Sequence, residues 1–122
     1  MKEVIRTDKA PLPSGPYSQG LKVNSRIYVA GQRPADAKTG AIPANFTEQA
    51  ELVLANVRHV LEAGGATMDN VVKVTVYLAD IAYFAEFNEV YKRFFQEPYP
   101  TRTTVSCALR GILVEVDAIA EL

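Results

Sequence analysis

An arginine and a glutamate near the end of the chain have the side chains and settings to carry chemistry. Arg102 lies in "YPTRTTVSC" (99–107), where two prolines stiffen a turn and a strand begins. Glu115 lies in "ILVEVDAIAEL" (112–122), a strand in which charged and apolar residues alternate. A guanidinium group binds a carboxylate through two parallel hydrogen bonds, so Arg102 is a candidate to hold the carboxylate of a small substrate.

Both residues also have purely structural interpretations. An arginine at the start of a strand can form a salt bridge at an interface, and a glutamate among apolar residues can pair with a lysine such as Lys73. The residue types alone leave these alternatives open. What the two side chains can reach depends on the elements that position them.

Two short strands and two loops are predicted in the first third of the chain. The segments "LKV" (21–23) and "RIYVAG" (26–31) are typical of strands joined by a tight turn. The preceding segment "PLPSGPYSQG" (11–20) has three prolines and two glycines, which indicates a fixed irregular loop. A second loop is predicted over "QRPADAKTGAIPA" (32–44).

Two amphipathic helices are predicted further along. Apolar residues at helical spacing indicate a helix over about 46–63, which begins after an Asn45 cap and ends at the glycine pair 64–65. Asp80 is expected to cap a second helix, whose apolar stripe makes it the heaviest core element. The stripe consists of Phe84, Phe87, Val90, Tyr91, Phe94 and Phe95.

The remaining strands show a period of two. The run "VVKVTVYL" (71–78) alternates an apolar face with a mixed one. In the last two strands the apolar alternates, among them Val105 and Cys107, are expected to face the helices. Arg102 and Glu115 are then expected to share the opposite face of the sheet. The order ββαβαββ predicts an α+β sandwich with both helices on one side, in a single domain over residues 1–122.

The predicted face away from the helices suggests self-association. Tyr77, Leu113 and Ile119 make that face too apolar to be left to water, which predicts a homo-oligomer. If the last two strands formed a simple hairpin, Arg102 and Glu115 would lie about 13 Å apart. They could share a small site only if another strand lies between theirs, or if another subunit completes the site.

Composition excludes several functional classes. The chain has 122 residues and a formal net charge of −1, and its scattered basic residues disfavour general nucleic-acid binding. There is neither an apolar leader nor a run of about 18 apolar residues, so no membrane association is expected and a cytoplasmic location is the default. One cysteine and one histidine leave no basis for a disulfide or a zinc cluster.

Several separated blocks of the sequence resemble the RidA (YjgF-like) family of reactive-intermediate deaminases over essentially the whole chain. The blocks are "GPYSQG" (15–20), "VAGQ" (29–32), "TGAIP" (39–43), "QAELVLANV" (49–57), "VVKVTVYLAD" (71–80), "FNEVY" (87–91), "PTR" (100–102) and "VEVDAIA" (114–120). Their order and number are more specific than any single motif.

The resemblance implies a chorismate-mutase-like fold with a mixed sheet, assembled as a homotrimer with sites in the clefts between subunits. It implies hydrolysis of 2-imino acids, and of the enamines from which they tautomerise, to 2-keto acids and ammonia. Such compounds include 2-iminobutanoate and 2-iminopropanoate, which PLP-dependent dehydratases release from threonine and serine. No cofactor is implied, because imines hydrolyse in water and positioning can supply most of the acceleration.

Site residues are also implied by the resemblance. Arg102 corresponds to the carboxylate-binding arginine and Glu115 to the glutamate that positions water. Tyr17, Gly31 and Asn88 correspond to residues that line the cleft. Each of these three residues also has a purely structural interpretation. Tyr17 can serve in loop packing, Gly31 in a turn at the end of a strand, and Asn88 as a cap for backbone groups.

Two departures from the family pattern bear on activity. Thr104, assigned here to substrate binding, stands two positions after the arginine, where the deaminase subgroup often has cysteine. The segment between Arg102 and Glu115 is about two residues shorter than in many relatives, and an even change preserves strand alternation. The alternative hypothesis is a non-catalytic trimer that senses small carboxylates such as 2-keto acids. Ribonuclease and chaperone activities are weaker hypotheses.

Overall fold

The computed structural model describes residues 1–122 and contains six strands and two α-helices. The strands are β1 (Lys2–Ile5), β2 (Gly20–Val23), β3 (Arg26–Gln32), β4 (Val71–Leu78), β5 (Thr101–Ser106) and β6 (Val114–Glu121). The helices are α1 (Phe46–Ala63) and α2 (Phe84–Phe94), and short 3₁₀ turns lie at Met68–Asn70 and Ile81–Tyr83.

All six strands form one mixed sheet in the order β1-β2-β3-β6-β4-β5. Only β4 and β5 are parallel, because the chain crosses from one to the other through α2. Strand β4 pairs with both β5 and β6, so the last two strands do not form a hairpin. The alternative that another strand lies between them is confirmed.

The core lies between the sheet and the two helices. Strand β4 contributes Val74, Val76 and Leu78, all fully buried, and β6 buries every second residue from Val114 onward. Helix α1 contributes an apolar stripe whose members are Ala50, Val53, Leu54, Val57, Val60 and Leu61. The predicted α+β sandwich with both helices on one face is therefore confirmed.

The ends of α1 follow the predicted capping chemistry, but the start of α2 does not. The Asn45 side chain accepts a hydrogen bond from the Glu48 backbone N–H at 2.8 Å, and α1 ends at Gly64. Asp80, predicted to cap the second helix, instead caps the 3₁₀ turn that leads into α2, since its carboxylate accepts from the Ala82 N–H at 2.9 Å, and the N-cap residue of α2 is Tyr83. Neither helix combines the length and apolar character that crossing a lipid bilayer requires.

The faces of β5 are the reverse of the prediction. Arg102 pairs with the buried Val74 of β4, so its side chain lies on the helix-covered face. Val105 lies on the other face and is 39% exposed, and Cys107, predicted to face the core, is exposed. As an edge strand, β5 has a neighbour on one side only and does not need apolar residues on the helix side.

Strand β1 was not predicted. It pairs with β2 at the other edge of the sheet, and three of its four residues are exposed. With only Ile5 buried, the segment has no alternation long enough to be read as a strand.

Candidate active site

Arg102 lies between β5 and α2 as a half-buried cation with no acidic partner. Its Nη2 donates a hydrogen bond of 2.7 Å to Oδ1 of Asn88, and no carboxylate lies within salt-bridge distance. Its guanidinium carbon lies 4.7 Å from the ring centroid of Tyr91 and about as close to those of Phe84 and Phe87, at 5.4 and 5.5 Å. The aromatic rings and Asn88 hold the group in place, and its remaining donors are free.

A pocket of about 400 Å³ opens beside this guanidinium. Its walls are residues of α2, of the proline-stiffened turn before β5 and of β5 itself: Ala85, Asn88, Glu89, Tyr91, Lys92, Tyr99, Pro100 and Arg102. Burial lowers the pKa of Arg102, but a guanidinium remains protonated at neutral pH. The pocket can therefore receive a small anion.

Two hydroxyl groups near Arg102 are buried without a hydrogen-bond partner. Burial raises the pKa of Tyr91 to about 12, so the phenol is neutral under the guanidinium. Thr104 lies two residues along β5 on the same helix-covered side, opposite Val76. It does not belong to the wall of the pocket.

Glu115 lies on the open face of the sheet, the face away from the helices. It pairs with Tyr77 of β4, and its half-buried carboxylate packs against Gly31 at the end of β3. A Cβ atom built on Gly31 would collide with Oε2 of Glu115, so the glycine makes room for the carboxylate. Next to it, Ala30 and Gly31 together oppose the single residue Asp117, which makes a β-bulge.

The charges around Glu115 act in opposite directions. Burial raises the pKa of the Glu115 carboxyl, and the negative charge of Asp117 adds to this effect. The positive charge of Arg33 lowers the pKa. Asp117 itself accepts a hydrogen bond of 3.0 Å from the Tyr77 hydroxyl. Burial and Asp117 thus outweigh Arg33 and increase the basicity of the Glu115 carboxylate, as a group that takes a proton from water requires.

Tyr17 belongs to the same half of the site as Glu115. Hydrogen bonds from Ser14 lower the pKa of the Tyr17 phenol, and the charges of Arg33 and Glu115 act on it in opposite directions. The phenol is 47% exposed. It therefore faces solvent in the neighbourhood of both charged groups.

The loop that carries Tyr17 is held by the buried side chain of Gln19. Its amide nitrogen donates to the carbonyl groups of Thr7, Ala10 and Pro11, and its amide oxygen accepts from the Thr7 N–H at 2.8 Å. The backbone of Gln19 also accepts a hydrogen bond from the N–H of Ala30. These contacts confirm the predicted fixed loop and tie it to β3.

A single chain does not bring Arg102 and Glu115 together, contrary to the predicted shared face. Arg102 pairs with Val74 and Glu115 with Tyr77, and these two partners lie three residues apart on β4. With two strand spacings between them, the Cα atoms are about 14 Å apart, and the side chains leave opposite faces of the sheet. Arg102 and Asn88 form one half-site, and Tyr17, Gly31 and Glu115 form the other.

Sequence reasoning did not identify three residues that shape these half-sites. Tyr91 and Tyr99 form walls of the pocket, but the first was assigned to the core stripe. Arg33 was counted as part of a loop. Its backbone carbonyl accepts a hydrogen bond of 2.9 Å from the buried amide of Asn56. No cluster of three or more potential metal ligands accompanies either half-site.

Comparison with known proteins places the chain in a family. The endoribonuclease L-PSP family matches residues 7–122. A RutC family protein of Pyrococcus abyssi is 48% identical, over 98% of this chain and 96% of its own length. The 2-iminobutanoate/2-iminopropanoate deaminase of Bos taurus is 42% identical, over 98% of this chain and 90% of its own length.

The fold agrees with that assignment. The crystal structure of Escherichia coli TdcF with bound serine matches with a TM-score of 0.94 and 40% identity, over 98% of both chains. The match extends over nearly all of both chains, so it includes every strand and helix on which the residues of the two half-sites lie. The chain therefore belongs to the endoribonuclease L-PSP family, and the resemblance of its motifs to the RidA (YjgF-like) deaminases is confirmed.

Proposed function

We propose that this protein hydrolyses reactive 2-imino acids, and the enamines in equilibrium with them, to 2-keto acids and ammonia. The substrates are small, of the size of 2-iminobutanoate and 2-iminopropanoate. The site lies in a cleft between two protomers of a homotrimer. Arg102 and Asn88 come from one protomer, together with Thr104 on the same face of β5, and Tyr17, Gly31 and Glu115 come from its neighbour.

The observation that carries the proposal is the unpaired guanidinium of Arg102 in the wall of a pocket. A half-buried cation without an acidic partner has lost part of its hydration, and a bound anion would compensate for that loss through hydrogen bonds and charge attraction. The rings beneath it and the Asn88 oxygen fix its orientation. A carboxylate bound to its free donors would place the adjacent imine carbon at a defined position.

The separation of the half-sites is the reason for invoking a second protomer. The open face of the sheet carries Glu115 together with apolar and aromatic residues, among them Tyr28, which is 40% exposed, and Val105. Covering this face with another copy would bury the apolar groups. It would also allow Glu115 of one protomer to face Arg102 of the next.

The chemistry assigned to Glu115 requires an ionised carboxylate. Glu115 accepts a proton from a water molecule, and the water oxygen bonds to the carbon of the protonated imine to give a neutral tetrahedral carbinolamine. Glu115 then returns that proton to the amine nitrogen, the C–N bond breaks, and ammonia leaves as the C=O bond forms and the hydroxyl proton passes to solvent water. The carboxylate is regenerated, and no redox partner is needed.

The relatives support the substrate class. One relative is named for 2-iminobutanoate and 2-iminopropanoate, and the TdcF structure contains serine, an amino acid with the same carboxylate and two-carbon core. The pocket volume of about 400 Å³ exceeds what such small molecules need, which leaves room for a second protomer to enclose it.

The first test generates 2-iminobutanoate in situ with a PLP-dependent threonine dehydratase and follows the appearance of 2-oxobutanoate. Wild-type protein is expected to accelerate release of the keto acid, and Arg102→Ala to abolish the acceleration. Arg93→Ala, on the exposed surface of α2, is the matched control and should retain activity. No acceleration by a folded wild-type trimer would contradict the proposal.

The alternative function, binding of small carboxylates without turnover, rests on the pocket alone. Calorimetry with 2-oxobutanoate distinguishes it. Binding that requires Arg102 without any turnover would favour a sensing role, whereas turnover that requires both Arg102 and Glu115 favours the deaminase.

A further inference from the structure

Arg33 is a second half-buried arginine that forms no salt bridge, and it lies in the half-site of Glu115. It follows β3 directly, two residues after Gly31. None of the ion pairs in the structure includes Arg33, and its side chain makes no hydrogen bond. Its role is not explained by the reaction described above, which needs one cation for one carboxylate.

The strand register determines where Arg33 lies. Gln32 pairs with Val116, and both are buried on the helix side. Continuing this antiparallel register by one residue brings Arg33 alongside Glu115 on the open face. The β-bulge at Ala30 and Gly31 is responsible, because it shifts the alternation of β3 by one residue.

The backbone at Arg33 is held from the other side of the sheet. The buried side chain of Asn56 on α1 donates to the carbonyl oxygens of Arg33 and Ala35, at 2.9 and 3.1 Å. The backbone of Arg33 is thus tied to the core, while the residue as a whole is half-buried. Such an arrangement positions a cation without neutralising it.

The positive charge of Arg33 acts on the two titratable side chains of the half-site, Glu115 and Tyr17. It lowers the pKa of the Glu115 carboxyl, against the larger effect of burial. For Tyr17, hydrogen bonds from Ser14 lower the pKa most, and the charge of Arg33 acts in the same direction. Arg33 therefore lies near both residues that would border a substrate on this side.

We propose that Arg33 is a specificity-determining residue that binds a second carboxylate, so that the site prefers 2-imino acids with an acidic side chain. This inference rests on the proposed function. Arg102 binds the carboxylate next to the imine carbon, and Arg33 of the neighbouring protomer binds the side-chain carboxylate. Iminosuccinate, the four-carbon diacid formed by oxidation of aspartate, is a small member of this class.

The turnover test compares two four-carbon substrates that differ only at the far end of the molecule. Iminosuccinate is generated from aspartate and 2-iminobutanoate from 2-aminobutanoate, each by a flavin-dependent amino-acid oxidase. The products, oxaloacetate and 2-oxobutanoate, are measured through NADH consumption by malate and lactate dehydrogenases. Rates are compared on the alkaline plateau, where Glu115 is ionised in every variant.

Arg33→Gln is expected to lower kcat/KM for iminosuccinate about tenfold or more and to change that for 2-iminobutanoate by less than about twofold. Arg33→Lys retains the positive charge and should recover part of the preference. Arg6→Gln removes an exposed arginine that makes no hydrogen bond or ion pair, and it should leave both values unchanged. Equal losses for the two substrates would overturn the proposal, because they would mean that Arg33 acts only through Glu115.

A binding measurement separates this inference from the proposed function. Calorimetry with 2-oxoglutarate and 2-oxopentanoate compares two stable ligands of equal length that differ in one carboxylate. Tighter binding of 2-oxoglutarate that is lost in Arg33→Gln supports the second carboxylate site, even if no imine is hydrolysed. Equal affinities in the wild-type protein would overturn it, even if deaminase activity is found.

Discussion

Arg102 and Glu115 lie on opposite faces of the same sheet, with β4 between their strands. Arg102 contacts α2 through Asn88 and three aromatic rings, whereas Glu115 contacts Gly31 on the open face. In a monomer the two groups could not act on one small molecule. Catalysis by this pair therefore requires two copies of the chain.

The first prediction is that two inactive variants complement each other. Arg102→Ala and Glu115→Gln are each expected to be inactive, but each retains the half-site that the other lacks. After the two are unfolded and refolded together, random trimers should regain about a quarter of wild-type activity, since each mixed trimer has one intact site. Refolding each variant alone is the control. A mixture that stays as inactive as its components would show that the two residues do not meet across an interface.

The second prediction concerns the contact between Gly31 and Glu115. Gly31→Ala should displace the carboxylate, because the added Cβ collides with it, and should lower the deamination rate about tenfold or more. Chemical denaturation should show a loss of unfolding free energy of about 1 kcal/mol. In a Glu115→Ala background the same substitution should cost less, since the colliding atoms are gone. An equal cost in both backgrounds would refute this explanation.

The third prediction tests whether Arg102 must remain unpaired. Asn88→Asp places a carboxylate where an amide oxygen now accepts a hydrogen bond of 2.7 Å from Arg102. The new ion pair should compete with the substrate and raise KM about tenfold or more. Asn88→Ala removes the hydrogen bond without adding a charge and should raise KM only a few-fold. Steady-state kinetics that give the same KM for both variants would argue against the carboxylate role of Arg102.

The fourth prediction concerns pH. The reaction needs ionised Glu115, so the rate should fall as the pH decreases through the pKa of this carboxyl. Burial, and then the charge of Asp117, raise that pKa, whereas Arg33 lowers it. Asp117→Asn should therefore move the acidic limb of the pH–rate profile to lower pH, and Arg33→Gln should move it to higher pH. In the proposed trimer, Arg102 of the neighbouring protomer would also act on Glu115, but equally in all variants, so the order would be unaffected.

Asp69→Asn is the control for the pH experiment, since Asp69 is exposed in the short turn before β4. It should leave the profile unchanged. A profile that moves in the same direction for Asp117→Asn and Arg33→Gln would exclude Glu115 as the titrating group.

The central elements of the fold could be predicted from the sequence because their burial is one-sided. Val74, Val76 and Leu78 alternate with polar neighbours and are fully buried, and the cap at Asn45 defines the start of α1. Pattern and packing agree in these segments. A period of two or of 3.6 is informative wherever one face meets the core.

In the edge strands the sequence pattern and the packing do not agree. In β5 the apolar Val105 faces away from the helices, and the charged Arg102 faces them, because the rings of α2 accept a cation. Alternation alone could not reveal this, since it assumes that a charge avoids the helix side. Arg33 was missed for a related reason, as the bulge that orients it has no signature beyond a glycine.

The bulge in β3 has a consequence for how such a protein could change its substrate. With the bulge, Gln32 faces α1 and Arg33 follows on the open side. Deleting one residue at Ala30 or Gly31 would exchange the two, turning the amide outward and the guanidinium toward the apolar core. A single-codon deletion would thus alter the side-chain preference of one half-site, while Arg102 and its pocket, on another strand, would stay intact.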